Sequence, residues 1–340
     1  MSARAATAVT VAILGSGALV GLPAASASAA GSPHARGPAP ITVVGHRGAP
    51  AYAPENTLPS VDEAARLGFR WVENDVQRTK DGELVVLHDT TLTRTTDVEQ
   101  VFPDRAPWNV RDFTAAEIAR LDAGTWYDPS FAGTRVPTLE QYLSRISRTH
   151  QSLILELKSP DLYPGIEAET LARLRDSGWL DRAHVRNRLV VQSFDAKSIK
   201  EVHKQRPDVK TGFLGTPAQA RLPEYARFAD QINPSHTTID ADWVAAAHAL
   251  KGPHDKPLEV FTWTVDTPAD TVAAADKGVD GIISNAPDVV RGALGGDGLG
   301  GAPREVPGGA PGEAPAGALD GAFDEALDEA VADAASVPVG

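Results

Sequence analysis

The feature that most limits the fold is an alternation running from Ile41 to Arg291, in which short β-rich runs are separated by stretches with helical spacing. The runs are Ile41–His46, Trp71–Val76 continuing in Leu84–His88, Ser152–Lys158, Leu189–Phe194, Lys210–Leu214, Gln231–Asn233, Leu258–Val265 and Gly281–Ser284. They give eight strand positions, the second doubled by a hairpin. Between them, Leu58–Leu67, Leu139–Ile146, Ile166–Arg175, Ala196–Lys204, Pro217–Phe228, Asp242–Leu250 and Thr267–Ala275 carry helical spacing rich in Ala, Leu, Glu and Arg. Eight strands joined by crossover helices close into a TIM (β/α)8 barrel, which fills about 250 residues as one domain. Runs such as LVV and GII are nearly continuous in apolar residues, as strands covered on both faces are. An open doubly wound sheet is the competing architecture, but no G-x-G-x-x-G phosphate loop follows the first strand.

The two ends fall outside this pattern. Residues 1–29 place Arg4 ahead of an uncharged stretch from Ala5 to about Leu22, followed by ASASAAG with small-residue cleavage sites ending at Ala27 or Ala29. That is the layout of a secretory signal. An uncleaved anchor is the alternative, because the stretch approaches spanning length, but its Ala, Gly, Ser and Thr content favours cleavage. The expectation is a secreted, extracellular protein with no stable membrane insertion. Residues 293–340 are rich in Gly, Ala and Pro, with nine acidic residues against the single Arg304, and are expected to be a disordered acidic tail. Leu319, Phe323, Leu327 and Val331 recur every four residues, so a short amphipathic helix is the competing reading there. The barrel is assigned to residues 41–292.

Composition removes several function classes. With 42% hydrophobic and 23% charged residues the chain buries a real core, which excludes disorder throughout and a multi-span membrane protein. The 32 Lys and Arg against 45 Asp and Glu give a net charge of −13, which repels nucleic acid. There is no cysteine, so any metal sits on oxygen or imidazole.

In a barrel, the residues at the carboxyl ends of the strands make the active site. Strand one ends in His46-Arg47-Gly48, strand two in Glu73-Asn74-Asp75 and its hairpin return in His88-Asp89. Strand three ends in Glu156-Leu157-Lys158, strand four in Gln192-Ser193-Phe194, and the seventh in Trp263-Thr264-Val265-Asp266. Residues two apart on a strand face the same way, so Glu73 projects with Asp75 and Glu156 with Lys158. Three carboxylates converging on one rim repel one another unless they take up protons or a divalent cation. Hard oxygen ligands favour one Mg²⁺ or Ca²⁺ ion, and simple salt bridges to Lys158 and Arg47 are the structural alternative. His46 and His88 suit a pair in which one group activates a nucleophile and the other protonates a departing alcohol. Arg47 and Lys158 supply cations for a phosphate, which makes a phosphodiester the natural substrate class.

The block VVGHRGAPAYAPENTLPSVDEAARLGFRWVENDVQRTKDGELVVLHDTTLTRTT resembles the opening of the glycerophosphodiester phosphodiesterase family, in its secreted bacterial type. The likeness continues through LDAGTWYDPSFAGTRVPTLEQYL, LILELKSP, VVQSFD, FTWTVD and KGVDGIISNAPD, covering roughly Val43 to Val290. The resemblance implies a TIM-barrel hydrolase that uses a divalent cation to release glycerol phosphate and an alcohol from glycerophosphodiesters such as glycerophosphocholine. It implies that His46 and His88 are the catalytic pair and that Glu73, Asp75 and Glu156 are the metal ligands. Arg47 and Lys158 are then substrate-binding residues, with Glu55 ordering the first loop or touching the glycerol side and Trp263 as an aromatic wall. Residues 90–137 are similar to the family's insertion, a cap over the barrel mouth. Asn74 replaces a usually apolar residue and is expected to affect packing. Asp266 and Asn285 also depart from the usual choices and are expected to alter substrate contacts while leaving the catalytic set intact. The competing functions are a lysophospholipase D acting on a lysolipid, with Trp108, Trp126, Tyr127 and Phe131 in the cap, and a phosphate-ligand binding protein on an inactive barrel.

Overall fold

The computed structural model describes residues 40–295, together with Thr10. The expected leader, apart from Thr10, lies outside the described residues, as does the expected tail beyond Gly295. Among the described residues, nine strands and eleven α-helices follow in order: β1 (Thr42–Gly45), α1 (Leu58–Arg66), β2 (Trp71–Arg78), β3 (Leu84–Val86), α2 (Val98–Val101), α3 (Ala115–Ile118), α4 (Leu139–Arg148), β4 (Ser152–Leu157), α5 (Ile166–Asp176), α6 (Arg182–Asn187), β5 (Leu189–Ser193), α7 (Ala196–Gln205), β6 (Lys210–Leu214), α8 (Leu222–Tyr225), β7 (Gln231–Asn233), α9 (Ala241–His248), β8 (Glu259–Thr262), α10 (Pro268–Asp276), β9 (Gly281–Ser284) and α11 (Pro287–Ala293). Ala293, where the tail was expected to begin, is the last residue of α11.

Each strand except β3 pairs in parallel with the next, and β1 pairs with both β2 and β9, so eight parallel strands close a barrel. β3 is the antiparallel return of a hairpin on the outer end of β2. Inside, Val44, Ile154, Val190, Phe261 and Ile283 form an apolar layer with Trp71 and Trp263 against it. Gly281 belongs to this layer because a Cβ there would stand 2.2 Å from the Phe261 ring. Outside, the alternate residues of the strands pack against the helices in two clusters, one centred on α1, α4 and α5 and the other on α9 to α11. The segment between β3 and α4 has its own small core, with Leu92, Val98, Val110, Phe113, Ile118 and Leu121 packed on Val85 and Leu87.

The helix expected over Pro217–Phe228 is only a 3-10 turn at Gln219–Arg221 and one turn of α8. Pro223 has no N–H to donate and so sits at the start of α8, which breaks the longer helix that the spacing suggests. Among the described residues no helix is long and apolar enough to cross a membrane.

Candidate active site

The parallel register sets Asp75 beside Glu156 and Glu73 beside Ile154, an inward-facing residue of the barrel. Alternation therefore turns Glu73, Asp75 and Glu156 toward the axis near the carboxyl ends of β2 and β4. One carboxylate oxygen from each lies within 4.8 Å of the others, and all three residues are buried. Asp75 Oδ1 has no hydrogen-bond partner; Glu156 Oε1 has only the Lys158 Nζ at 3.2 Å, outside hydrogen-bond geometry. Burial, then the charges of Asp75 and Glu156, push the Glu73 carboxyl well above its ordinary range. Burial lifts Glu156 to about 7 despite Lys158. Asp75 is held low against its burial by His88, Arg47 and Lys158. Such a cluster keeps protons at neutral pH that a hard divalent cation would replace, and its orphaned buried oxygens fit an oxygen-coordinated ion.

β1 ends in a tight turn, with Arg47 at φ 51 and Gly48 at φ 98; the Gly48 position packs so closely on Ser60 that a Cβ would stand 2.3 Å from its Oγ. The turn is pinned by Ser60, which donates to the Arg47 carbonyl at 3.0 Å and accepts from Ala49 N–H at 2.8 Å. His46 is thereby left at the rim, its Nε2 3.9 Å from Glu73 Oε2. Its Nδ1 is 2.8 Å from Asn285 Oδ1. The Asn285 amide nitrogen is committed to Asp266 at 2.8 Å, so the oxygen faces His46 and Nδ1 must carry the hydrogen. His88 reaches the same state by another route, with Nδ1 2.8 Å from Asp89 Oδ1. Burial and the Arg47 charge depress both rings, His46 to about 3 and His88 to about 4. Both imidazoles are thus neutral donors at Nδ1 with a bare Nε2.

A chain of charges joins the two sides of the mouth. Arg94 grips Asp89 through Nε at 2.7 Å and Nη2 at 2.9 Å, and grips Glu55 through Nη1 and Nη2, both at 2.8 Å. Glu55 also accepts from Arg47 Nη1 at 2.9 Å, and Arg47 Nε lies 3.4 Å from Asp75 Oδ2. Asn56 donates to the same Asp75 oxygen at 2.8 Å. Glu55 is buried, with both oxygens taken by arginines, contacts that tie the first loop to the segment after β3. Across the mouth, Trp263 donates to the Asn233 carbonyl at 2.8 Å and meets Phe194 edge-on at 5.6 Å, with Lys158 Nζ 5.6 Å above the Phe194 ring. In the insertion, Trp126, Tyr127 and Phe131 form an edge-to-face series, whereas Trp108 packs into the local core and donates to the Phe102 carbonyl.

The sequence brought Asp89 forward only as a neighbour of His88 and did not bring Arg94 forward at all. Asp266 and Asn285, expected to alter substrate contacts, are linked to His46: Asp266 holds Asn285, and Asn285 meets the His46 ring, a contact across 239 residues of sequence that no local spacing reveals.

A closed (β/α)8 barrel with imidazoles, cationic side chains and carboxylates gathered at the carboxyl ends of its strands has the layout of a barrel enzyme. Comparison with known proteins makes this specific: residues 46–289 match the model of the glycerophosphoryl diester phosphodiesterase family, and the chain belongs to that family. The chain is 33% identical to a glycerophosphodiester phosphodiesterase of Bacillus subtilis, over 77% of this chain and 89% of the relative. It is 34% identical to one from Caldanaerobacter subterraneus, over 73% and 95%. Among solved structures it is similar to an Oleispira antarctica phosphodiesterase in complex with the product sn-glycerol-3-phosphate, at 26% identity and a TM-score of 0.61 over 75% of this chain and 97% of that one. It is also similar to a glycerophosphodiester phosphodiesterase of Agrobacterium tumefaciens, at 27% identity and a TM-score of 0.58 over 74% and 100%.

Proposed function

We propose that the protein is a secreted, metal-dependent phosphodiesterase that hydrolyses glycerophosphodiesters, such as glycerophosphocholine or glycerophosphoethanolamine, to glycerol phosphate and an alcohol. The observation that carries this reading is the convergence of a buried three-carboxylate cluster with two imidazoles whose Nδ1 atoms are both tied down. Export rests on the layout of residues 1–29.

Glu73, Asp75 and Glu156 hold one Mg²⁺ or Ca²⁺ ion, which when bound draws charge from the phosphoryl oxygens and lowers the pKa of the attacking group. Arg47 and Lys158 take the phosphate oxygens. Arg47 helps depress both histidines and Lys158 helps depress His88, so a bound phosphodiester anion offsets these cations and lets one ring hold a second proton. The bare Nε2 of one histidine accepts the proton of the attacking hydroxyl, while the protonated ring returns one to the departing oxygen. Trp263 and Phe194 wall the side of the mouth toward β5 and β8, where an alcohol head group has apolar surface to meet.

The test is a panel of glycerophosphocholine, glycerophosphoethanolamine and lysophosphatidylcholine, with and without chelator. Release of glycerol phosphate from the first two, abolished by chelator and restored by Mg²⁺ or Ca²⁺, is expected. Turnover that survives chelation would remove the metal from the proposal, and preference for the lysolipid would change its substrate. No cleavage of any diester would leave the chain a binding protein.

A further inference from the structure

We propose that Gln77, braced by Tyr163, is a positioning residue that sets where the His88 imidazole stands. The inference rests on the reading of His88 as an acid–base group.

β2 runs three residues past Asp75, to Arg78, and alternation puts Gln77 on the face that carries Glu73 and Asp75. β3 ends at Val86, Leu87 N–H still donates to the Asp75 carbonyl at 3.0 Å, and the chain then bends through His88 to Thr90. A bend takes carbonyls out of a ladder, and buried carbonyls need other partners. Those of Leu87, His88 and Asp89 all turn to Gln77 Nε2, at 3.0, 2.9 and 2.5 Å. One amide therefore collects the backbone on both sides of His88. Gln77 is 0% exposed and Leu87 is buried, while His88 and Asp89 are part-buried, so the amide serves these carbonyls from the protein side.

The amide nitrogen must face three acceptors, so Oε1 faces the other way, where the Tyr163 hydroxyl donates to it at 2.8 Å. Burial raises the Tyr163 hydroxyl to about 12, which keeps it a donor. Tyr163 is delivered by the chain that follows Lys158: Ser159 at φ 43, the turn Pro160–Leu162, then the ring, with the Arg78 guanidinium 5.9 Å above it. One side-chain amide thus ties the end of β4, which carries Lys158, to the end of β3, which carries His88. Asp89 fixes the ring of His88 from Nδ1, and Gln77 fixes the backbone from which the ring hangs.

The test uses the full-length protein at saturating Mg²⁺, with Gln77→Glu, which is isosteric but opposes a carboxylate to the carbonyls, and Gln77→Met, which keeps the length and removes the donors. Misplacing a catalytic group by about 1 Å costs on the order of 100-fold, so kcat should fall about 10- to 100-fold with KM within about twofold. Affinity for Mg²⁺ alone, by calorimetry, should be unchanged. Tyr163→Phe should show the same pattern at about fivefold. The deciding comparison places each variant in a His88→Ala background, assayed on a p-nitrophenyl phosphodiester of glycerol so that residual rates can be read. If Gln77 acts through His88, the double variants turn over like His88→Ala alone. A further multiplicative loss, or wild-type kcat in both Gln77 variants, overturns the inference. If neither Gln77 variant folds, Tyr163→Phe alone and with His88→Ala completes the same cycle. Full turnover of glycerophosphocholine, whose poor leaving group needs a proton, by His88→Ala itself would instead sink the acid–base reading on which the brace depends.

Discussion

His46 and His88 arrive at the same tautomer through unlike partners, a neutral amide for one and a carboxylate for the other. The difference has a kinetic consequence. Asn285 presents its oxygen to His46 only because Asp266 holds its nitrogen, so Asn285→Ala frees the ring to take the other tautomer and to rotate. We expect a fall in kcat of about 10- to 100-fold, with calorimetric affinity for Mg²⁺ unchanged; a loss of metal binding instead would make His46 part of the ion site. The carboxylates lead to a pH prediction. Glu73 is raised well above its ordinary range and Glu156 to about 7, so the metal-free folded protein holds protons that the unfolded chain releases. Their contribution to stability is present at low pH and lost as pH rises, for Glu156 through about 7, while His46 and His88, lowered to about 3 and 4, act in the opposite sense as pH falls below 6.5 through those values. A cation competes with the carboxyl protons, so Mg²⁺ or Ca²⁺ affinity should climb from pH 6 to pH 8 with proton release at the lower end, measurable by calorimetry in buffers of different ionisation enthalpy. The acidic trio was legible in the sequence because alternation along a strand fixes which face a residue takes. The residues that orient the histidines were not, because Arg94 and Asn285 act through contacts that only barrel closure and loop docking create.

At the level of elements, the parallel strands follow the expected positions closely, since short β-rich runs bounded by turns leave little freedom. The insertion was visible only by resemblance: its helices span four residues each, too short for a periodic signal. β2 holds one local conflict. Its odd-numbered residues face the site and its even-numbered ones face the helices, which puts Asn74 at 0% exposure in an apolar layer with neither Oδ1 nor Nδ2 partnered. The sequence suggested a packing effect there, and the strand geometry turns it into a stability effect. A buried polar group without partners costs about 1–3 kcal/mol, and valine has a similar volume with higher strand preference. Asn74→Val should therefore raise the melting temperature by about 2–8 °C and leave kcat unchanged, because the side chain points away from Glu73 and Asp75. A lower melting temperature would mean that the amide has a partner, such as an ordered water.

For the molecule as a whole, the barrel separates chemistry from stability along its axis, and a matched pair of substitutions exposes the separation. At the carboxyl end, Lys158 lies 3.2 Å from Glu156 among carboxylates that repel one another. At the amino end, Lys210 donates to both oxygens of Glu259, at 2.8 and 3.0 Å, and Gln231 donates to Glu259 at 2.8 Å, a network that closes the barrel floor. Both lysines begin or follow a barrel strand and both pair with a glutamate, yet they sit on opposite sides of the apolar layer around Phe261 and Ile154. Lys210→Met leaves Glu259 with half its partners. The pair is partly exposed, so solvent screening reduces the loss to about 1–2 kcal/mol, seen as a melting temperature lower by about 2–8 °C. Turnover should stay at the wild-type value, because the floor never meets substrate. Lys158→Met, assayed at saturating metal, should do the reverse: the phosphate loses a cation and kcat/KM falls at least tenfold, while the melting temperature moves little because removing the lysine also removes a part-buried charge. Equal losses of stability and turnover in both variants would show that the two ends are coupled through the barrel core, contrary to the layered arrangement drawn from the strand register.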